Sequence, residues 1–276
     1  MAGEEFLTQF YDSYDEIEEQ FQQTLDETLH PAGPEGMYEL VASLALPAGA
    51  GVVDVGCGGG WHTMELARQF GLSVLGVDPV PARIEEARHE LAGALRESAD
   101  LTGRVSFELG VAEHLPAGDA SMDLVWCRDV LVHVEDLAAA YAEFRRVLRP
   151  SGRAVVYQMF GTGQMEQREG QWLYSVLGCV PANMDPHRTE AAIAASGLRL
   201  DNCIVLGSQW GEAAEERSGA GGRHLLHAAR LLHDPDRYIE RFGRANYDIA
   251  LADCRWHIYR MIGKLSGRIY LLSAPG

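Results

Sequence analysis

The ten residues VVDVGCGGGW, beginning at Val52, constrain the fold of this chain more than any other segment. Two valines lead into Asp54, and glycine occupies four of the next six positions. This pattern predicts a buried strand, a loop with almost no side chains, and then a helix. Glycine lets a ligand approach the backbone closely, and the first N–H groups of a helix are free to face it. The segment therefore predicts a site for a phosphate group, a dinucleotide or another nucleoside cofactor.

Apolar strands alternate with helices over the first 160 residues. Five runs have the composition of buried strands: AGVVDV, SVLGVD, RVSFELG, MDLVWC and RAVVYQMF. The segments between them carry helical periodicity, as in PARIEEARHELAGALRES, which has proline near its first turn. Strands joined by helices favour a parallel sheet covered on both faces. The predicted fold class is α/β, doubly wound.

The regular alternation of strands and helices changes after Phe160. GTGQMEQREGQWLYSVLG is interpreted as an insertion, LRLDNCIVLGSQW as a strand, GEAAEERSGAGG as a loop or a frayed helix start, and GRIYLLSA as the last strand. Residues 223–265 between them are mostly helical in pattern. We expect an N-terminal helix or lid over 1–33, a cofactor-binding core over 34–160, and completion of the sheet over 161–276 with a helical cap at about 207–265.

Charge and composition limit the partners. The net charge is −17 and Lys264 is the only lysine, so the surface should repel nucleic acids and anionic membranes. No run approaches the roughly 20 apolar residues of a membrane span, and the first residues lack the pattern of a signal peptide. The five cysteines form no CxxC pair, which argues against zinc and favours reduced thiols. We expect a cytoplasmic monomer or homodimer without a metal.

The first 27 residues predict an amphipathic helix. Residues 4–27 carry nine acids and no Lys or Arg, and apolar residues recur at steps of three and four: Leu7, Phe10, Tyr14, Ile17, Phe21 and Leu25. One interpretation is a helix that packs on the core and shows a solvated acidic face. The other is a helix that closes over a ligand, with Tyr11 or Tyr14 offering a hydroxyl.

A second acid narrows the cofactor. The strand SVLGVD ends in Asp78, whose carboxylate can accept hydrogen bonds from both hydroxyls of a ribose. The loop lacks the Gly-Lys-Ser or Gly-Lys-Thr of a nucleoside triphosphate site, since Gly60 is followed by Trp61 and His62. Its glycine spacing is GxGxG, whereas dinucleotide sites prefer GxGxxG, and Asp54 is poorly placed beside a diphosphate. These residues predict a nucleoside cofactor without deciding which one.

Five segments in order resemble the motifs of class I S-adenosylmethionine-dependent methyltransferases: VVDVGCGGG, GVDPVPARIEEAR, GVAEHLP, MDLVWCRDVLVHVED and RVLRPSGRAVV. The resemblance covers roughly residues 35–160. It implies a Rossmann-like, mostly parallel sheet of seven strands. It also implies S-adenosylmethionine as cofactor, with S-adenosylhomocysteine as the product.

The resemblance further implies which residues bind the cofactor: Asp54, Gly56, Cys57, Gly58, Gly60, Asp78, Pro79, Ala112, Glu113, Cys127 and Arg128, with Tyr14 from the N-terminal helix. Asp78 would take the ribose hydroxyls, and Ala112 would meet the adenine edge through its N–H. The family commonly has Asp where this chain has Val111. Glu113 would then replace that contact, or water would take it.

Methyl transfer needs little from the protein beyond alignment and exclusion of water, because a sulfonium methyl group is already activated. A general base is optional. Asp129 and His133 follow the fourth strand and are the candidate catalytic residues, although a histidine there also suits local packing. Gln158, at the end of the fifth strand, is a further candidate to contact the acceptor.

The cap indicates the acceptor. We find no basic patch in its sequence, which favours an enclosed small-molecule site lined by some of its aromatic residues. His224 and His227 have the spacing of a metal pair, but no carboxylate completes the set at a familiar spacing, so we interpret them as an ordinary surface pair. We expect methylation of a hydroxyl group on a secondary metabolite. The alternatives are N- or C-methylation, a decarboxylase or cyclase on the same fold, a dinucleotide-dependent oxidoreductase, and a peptide acceptor.

Overall fold

A seven-stranded sheet forms the centre of the protein in the computed structural model, which describes residues 2–27, 33–98 and 100–275. In chain order the strands are β1 Gly51–Val55, β2 Ser73–Asp78, β3 Val105–Leu109, β4 Met122–Arg128, β5 Leu148–Gly161, β6 Arg199–Leu206 and β7 Leu265–Ser273. Their spatial order is β3-β2-β1-β4-β5-β7-β6. The first five strands pair in parallel, whereas β7 is antiparallel to both β5 and β6. The predicted doubly wound, mostly parallel sheet is confirmed.

Helices cover both faces of this sheet. In chain order they are α1 Ala2–Glu27, α2 Gly36–Ser43, α3 Trp61–Phe70, α4 Pro81–Glu97, α5 Leu137–Val147, α6 Gln167–Leu177, α7 Pro186–Ser196, α8 Gln209–Ser218, α9 Ala220–His233, α10 Pro235–Phe242 and α11 Arg244–Met261. Two short 3₁₀ turns lie at Leu131–His133 and Pro181–Met184. Helix α6 occupies the segment that the sequence predicted as an insertion.

Two hydrophobic cores lie on opposite faces of the sheet. One packs Met37 of α2 and Leu66 of α3 against Trp126 of β4. The other packs Tyr141 and Phe144 of α5 against the opposite face. Strand β1 lies between the two cores, which explains why its valines form a continuous apolar run. Because the chain passes from β3 at the edge of the sheet back to β4 on the other side of β1, the strand order reverses between β1 and β4, and a crevice opens at the carboxyl ends of these strands.

Helices α8–α11 form the cap between β6 and β7. The sequence predicted a loop or a frayed helix start at GEAAEERSGAGG, but residues 209–218 form the regular helix α8. Its glutamates and alanines favour a helix, and Gly219 ends it in the left-handed conformation with φ of 63°. The loop interpretation gave too much weight to the glycines.

The N-terminal helix α1 is present, and the described part of its predicted core-facing stripe is at least half exposed. Phe21 and Leu25 belong to the expected core-facing stripe, and they are 60% and 50% exposed. The side chains of Tyr11 and Tyr14 lie outside the described residues. Within the described ranges, none of the helices combines the length and the apolar character needed to cross a membrane.

Candidate functional site

The glycine loop after β1 has a backbone that glycine alone adopts easily. Gly56, Gly58 and Gly60 have φ of 72°, 52° and 80°. The Gly56 N–H donates to the carbonyl of Val77 at 2.7 Å, which joins the loop to the end of β2. A Cβ on Gly56 would overlap the side chain of Val130, whereas one on Gly58 would meet no atom within 4 Å. The loop is therefore packed tightly at its start and open above its middle.

Two buried carboxylates hold this loop in place. Asp78 accepts from the Gly58 N–H at 3.0 Å through Oδ2 and from the Val80 N–H at 2.9 Å through Oδ1. Asp54 accepts from the Thr63 hydroxyl at 2.6 Å, which fixes the end of β1 to the first turn of α3. Burial raises the pKa of Asp54 to about 7, against the lowering effect of that hydrogen bond. Asp54 thus orients the loop, and Asp78 contacts it while keeping lone pairs for a ligand.

A cavity of about 300 Å³ opens at the carboxyl ends of β1, β2 and β4 and beside the loop after β3. Its lining comes from those four loops: Val55, Gly56, Val77, Pro79, Gly110, Val111, Ala112, Glu113, Val130, His133, Val134 and Glu135. Four predicted cofactor-binding residues line it, namely Gly56, Pro79, Ala112 and Glu113. A mostly apolar pocket beside an open glycine loop and a buried acid fits a nucleoside with a short polar tail.

The two cysteines predicted here contribute no accessible thiol. Cys57 is 8% exposed and packs against Ile84, Ala87 and Phe107. Cys127 is completely buried. Burial raises the pKa of both thiols, so neither is a nucleophile. Cys57 and Cys127 can therefore contact a cofactor only through their backbone groups.

His133 and Asp129 lie close to the cavity beside the glycine loop, and His133 lines it. The His133 Nδ1 is 3.0 Å from the carbonyl oxygen of Gly178, so Nδ1 carries the proton and Nε2 is left to accept one. Asp129 has a left-handed φ of 59°, and its Oδ2 lies 3.6 Å from Nε of Arg128. Burial of its surroundings raises the pKa of Asp129 against the lowering effect of the Arg128 and Arg260 charges, although 48% of its side chain is exposed.

Gln158 does not have the predicted contact with an acceptor. Its side chain is fully buried and donates to the Asn183 carbonyl at 2.9 Å. Its oxygen accepts from the Thr189 hydroxyl at 3.2 Å. Both ends of the amide are thus used inside the protein, because a polar side chain at this depth needs internal partners.

A second cavity, of about 310 Å³, lies between the cap and the end of β4. Trp210 of α8 lies against it, 5% exposed and stacked on Tyr157 with the ring centroids 4.4 Å apart. Three arginines line the cavity: Arg128 from β4, Arg217 from α8 and Arg260 from α11. The expectation of a cap without a basic patch is wrong at this point, because the fold gathers arginines that are far apart in sequence.

Arg128 is fixed by contacts that the sequence did not suggest. Its Nη1 donates to Nε2 of His62 at 2.6 Å, and the other ring nitrogen of His62 bonds the Tyr38 hydroxyl. Burial lowers the pKa of His62 to about 4, so its ring is neutral and can accept from the guanidinium. Arg128 also lies 5.5 Å from the ring centroid of Trp210. These contacts turn its side chain away from the cofactor cavity and into the second cavity.

The expected His224–His227 pair is not the pairing that forms. His224 stacks on His257 of α11 with the ring centroids 4.0 Å apart, while His227 is exposed. Asp253 brings a carboxylate within 4.8 Å of the nitrogens of that stacked pair. The partner of His224 lies 33 residues away in sequence, so helical spacing could not have identified it.

The fold and this crevice define a class of proteins that bind a nucleoside cofactor beyond a doubly wound sheet. Residues 53–156 match the model of a family described as a methyltransferase domain. The chain is 36% identical over 206 residues to the 27-O-demethylrifamycin SV methyltransferase of Amycolatopsis mediterranei (strain S699), covering 72% of this chain and 74% of that protein. The chain belongs to the S-adenosylmethionine-dependent methyltransferases.

Two further comparisons agree with this assignment. The O-methyltransferase resE of Aspergillus sclerotiorum is 30% identical over 175 residues, which cover 63% of this chain and 64% of that protein. The chain thus spans slightly less than two thirds of that relative. A structure of Haemonchus contortus phosphoethanolamine N-methyltransferase 2 with S-adenosylhomocysteine matches with a TM-score of 0.62 and 18% identity, over 89% of this chain and 54% of that one. This match concerns the fold.

Proposed function

We propose that the protein transfers a methyl group from S-adenosylmethionine to a hydroxyl group of a small-molecule secondary metabolite. One observation carries the proposal: the segment after β4 separates two cavities of similar size. Arg128, at the end of β4, lines the cavity under the cap, while Val130 and His133 line the cavity beside the glycine loop. A cofactor in one cavity and an acceptor in the other would meet at this segment. The O-methyltransferase names of the two relatives support oxygen as the attacked atom.

The cofactor would be held by the loops after β1 to β4. Gly58 and its neighbours would face the methionine part, Asp78 the ribose, and Pro79 and Ala112 the adenine. Bound S-adenosylmethionine supplies an electrophilic methyl group with a neutral thioether as its leaving group. The protein aligns the acceptor and keeps water out, which accounts for most of the rate in reactions of this kind.

His133 is the proposed general base. Its Nε2 is free to accept the hydroxyl proton, because Nδ1–H is held by the Gly178 carbonyl. His133→Gln should lower kcat at least tenfold and leave the affinity for S-adenosylhomocysteine unchanged. A variant with unchanged kcat between pH 6 and 9 would show that His133 has a packing role only.

We also propose an assignment of regions. Residues 34–160 would form the cofactor-binding core, and residues 161–276 would complete the sheet and close the acceptor cavity through helices α8–α11. Residues 1–33 would act as the lid. The five cysteines are free thiols, which supports a reducing cytoplasmic location. We propose a monomer or a homodimer.

The first test is binding and then product analysis. Calorimetric titration should show binding of both S-adenosylmethionine and S-adenosylhomocysteine, with no binding of NADH. Incubation of a panel of hydroxylated metabolites with the cofactor carrying a ¹³C-labelled methyl group should then give a product with the carbon shift of a methoxy group. A carbon shift typical of an N-methyl or C-methyl group would show that nitrogen or carbon is the attacked atom. Conversion of acceptor without label would instead indicate a decarboxylase or cyclase.

A further inference from the structure

The cavity under the cap has an unusual charge for this protein. The chain has 40 acidic residues against 23 Lys and Arg. Among the described residues that line the cavity, three are arginines and one, Glu35, is a carboxylate. Glu35 is already paired with Arg217, whose Nη2 lies 3.1 Å from its Oε2. Two guanidinium groups, those of Arg128 and Arg260, remain to set the charge inside the cavity.

Both of these guanidinium groups lie over the same ring. Arg128 is 5.5 Å and Arg260 is 5.8 Å from the ring centroid of Trp210. Two cations at one indole repel each other unless an anion lies near both. Asp129 supplies part of that compensation, since its Oδ2 lies 3.6 Å from Nε of Arg128 and the charge of Arg260 also acts on it, but 48% of its side chain is exposed. Arginine beside an aromatic ring is a common arrangement for binding a carboxylate or a phosphate.

A buried donor in the same place lacks a hydrogen bond. The Nε of Arg128 is buried and has no hydrogen-bond partner among the residues that the structure describes, and Oδ2 of Asp129 reaches it only as an ion pair at 3.6 Å. An unpaired buried donor on a charged group costs free energy, so such groups usually meet a ligand or water. The other side of the guanidinium is fixed by His62, which holds this donor in a constant position.

We propose that the acceptor carries an oxyanion, a carboxylate or a phosphate, which Arg128 and Arg260 bind beside the ring of Trp210. This inference rests on the proposed function, because it names the acceptor class of that same cavity. The methyl group would be delivered to a hydroxyl elsewhere on the acceptor. Binding of the oxyanion would fix the orientation of the acceptor.

The stacked histidines do not favour a cation in this cavity. His224, His257 and Asp253 have the composition of a metal site. However, burial and the charge of His224 lower the pKa of His257, Asp253 raises it, and the smaller effect of the charge of Arg260 lowers it further. The same positive charge opposes a divalent ion, and it attracts an anion.

The test uses matched small molecules on the whole protein. Chelator-treated protein is saturated with S-adenosylhomocysteine, and benzoate, phenyl phosphate and the neutral benzamide are titrated by calorimetry. Benzoate or phenyl phosphate should bind at least tenfold more tightly than benzamide. Salt should weaken the anions and leave benzamide unchanged. The anion with the higher affinity identifies the oxyanion of the acceptor as a carboxylate or a phosphate.

Arg260→Gln should lower the affinity for the preferred anion about tenfold. The matched control is Arg255→Gln on the same helix, because Arg255 makes a similar contact 4.6 Å from the centroid of Trp172, outside the lining of the cavity. This control should keep the wild-type affinity. Both variants should keep the affinity for S-adenosylhomocysteine and the wild-type Tm.

Several results would overturn the proposal. Equal binding of benzoate, phenyl phosphate and benzamide, or no binding of any of them at millimolar concentration, would remove the oxyanion site while binding of S-adenosylhomocysteine still supported the proposed function. Loss of S-adenosylhomocysteine affinity in Arg260→Gln would assign the arginine to the cofactor's own carboxylate. Anion binding that appears only after Zn²⁺ is added would assign the cavity to a metal at the stacked histidines.

Discussion

The two cavities at the carboxyl edge of the sheet differ in the chemical groups that line them. The cofactor cavity is formed by backbone and short side chains in four loops that directly follow β1 to β4. The cap cavity is lined by residues of β4, α8, α9, α11 and the segment before α2, and its charged and aromatic groups come from side chains. The first depends on φ angles and buried hydrogen bonds, whereas the second depends on charges and aromatic rings. Substitutions should therefore act in different ways in the two places.

Gly56→Ala should have the largest effect. The left-handed backbone costs about 1–2 kcal/mol for alanine, and the overlap with Val130 adds about 1–3 kcal/mol. Urea denaturation should show the summed loss of unfolding free energy, and calorimetry should show no binding of S-adenosylhomocysteine. The control is Gly58→Ala, which has the backbone cost without an overlap. Equal losses in the two variants would contradict the tight packing at Gly56.

Asp54→Asn should change the pH dependence of stability. The folded pKa of Asp54 is about 7, and the unfolded value is about 4. Between these two pH values the folded protein keeps a proton on Asp54 that the unfolded chain has lost. The contribution of Asp54 to the free energy of unfolding is therefore full below about pH 4 and is lost as the pH rises to about 7. Asparagine does not ionise and keeps an oxygen for Thr63. The variant should therefore gain stability over the wild type, by no more than about 4 kcal/mol at pH 8.

The measurement for Asp54→Asn is the Tm of both proteins from pH 5 to pH 8. The difference should grow with pH and level off above pH 7. A constant difference would mean that Asp54 is ionised throughout this range in the folded protein.

Asp78→Asn should lower the affinity for S-adenosylhomocysteine about 10- to 100-fold. The amide has one acceptor oxygen, so it cannot serve both the Gly58 and the Val80 N–H groups and also meet a ribose. Asp123→Asn is the matched control, since Asp123 accepts from the Gly51 N–H at 2.8 Å at the opposite end of β1. Unchanged affinity in Asp78→Asn would separate this acid from the cofactor.

Arg217→Gln should have the smallest effect, although it removes an ion pair at the mouth of the cap cavity. The side chains of Arg217 and Glu35 are 58% and 54% exposed, so water and salt already screen the pair. Tm and the affinity for S-adenosylhomocysteine should match the wild type within error. A clear fall in Tm would show that this pair holds α8 against the segment before α2.

The lining of the cavity beside the glycine loop was easier to predict from the sequence than that of the cavity under the cap, for a physical reason. A glycine loop after a buried strand is a local pattern, and the residues that it needs lie within about ten positions. The cap cavity depends on Arg128, Trp210 and Arg260, which are brought together by tertiary packing over more than 130 positions. No periodicity connects them, and the overall charge of −17 concealed their grouping.

Some residues of the cavity under the cap lie in sequence patterns that are visible without the structure. Arg128 lies inside a segment that resembles a motif, but its side chain was assigned no role. The interleaved arginines and aromatic residues of α11, in RWHIYRM, are unusual in so acidic a chain. His62 gave no such signal, because its bond to Arg128 joins positions 66 residues apart.

The pairing of β6 with β7 has a consequence for how the acceptor range of this protein can change. Leu206 lies opposite Gly267, so the chain leaves the sheet for the cap and returns to it at neighbouring points. An insert with such closely spaced ends can be exchanged for a shorter or longer one without moving the strands that hold the cofactor. We therefore expect that the four helices can be exchanged as a unit, and that such exchange alters the cavity under the cap while the sheet and its glycine loop stay unchanged.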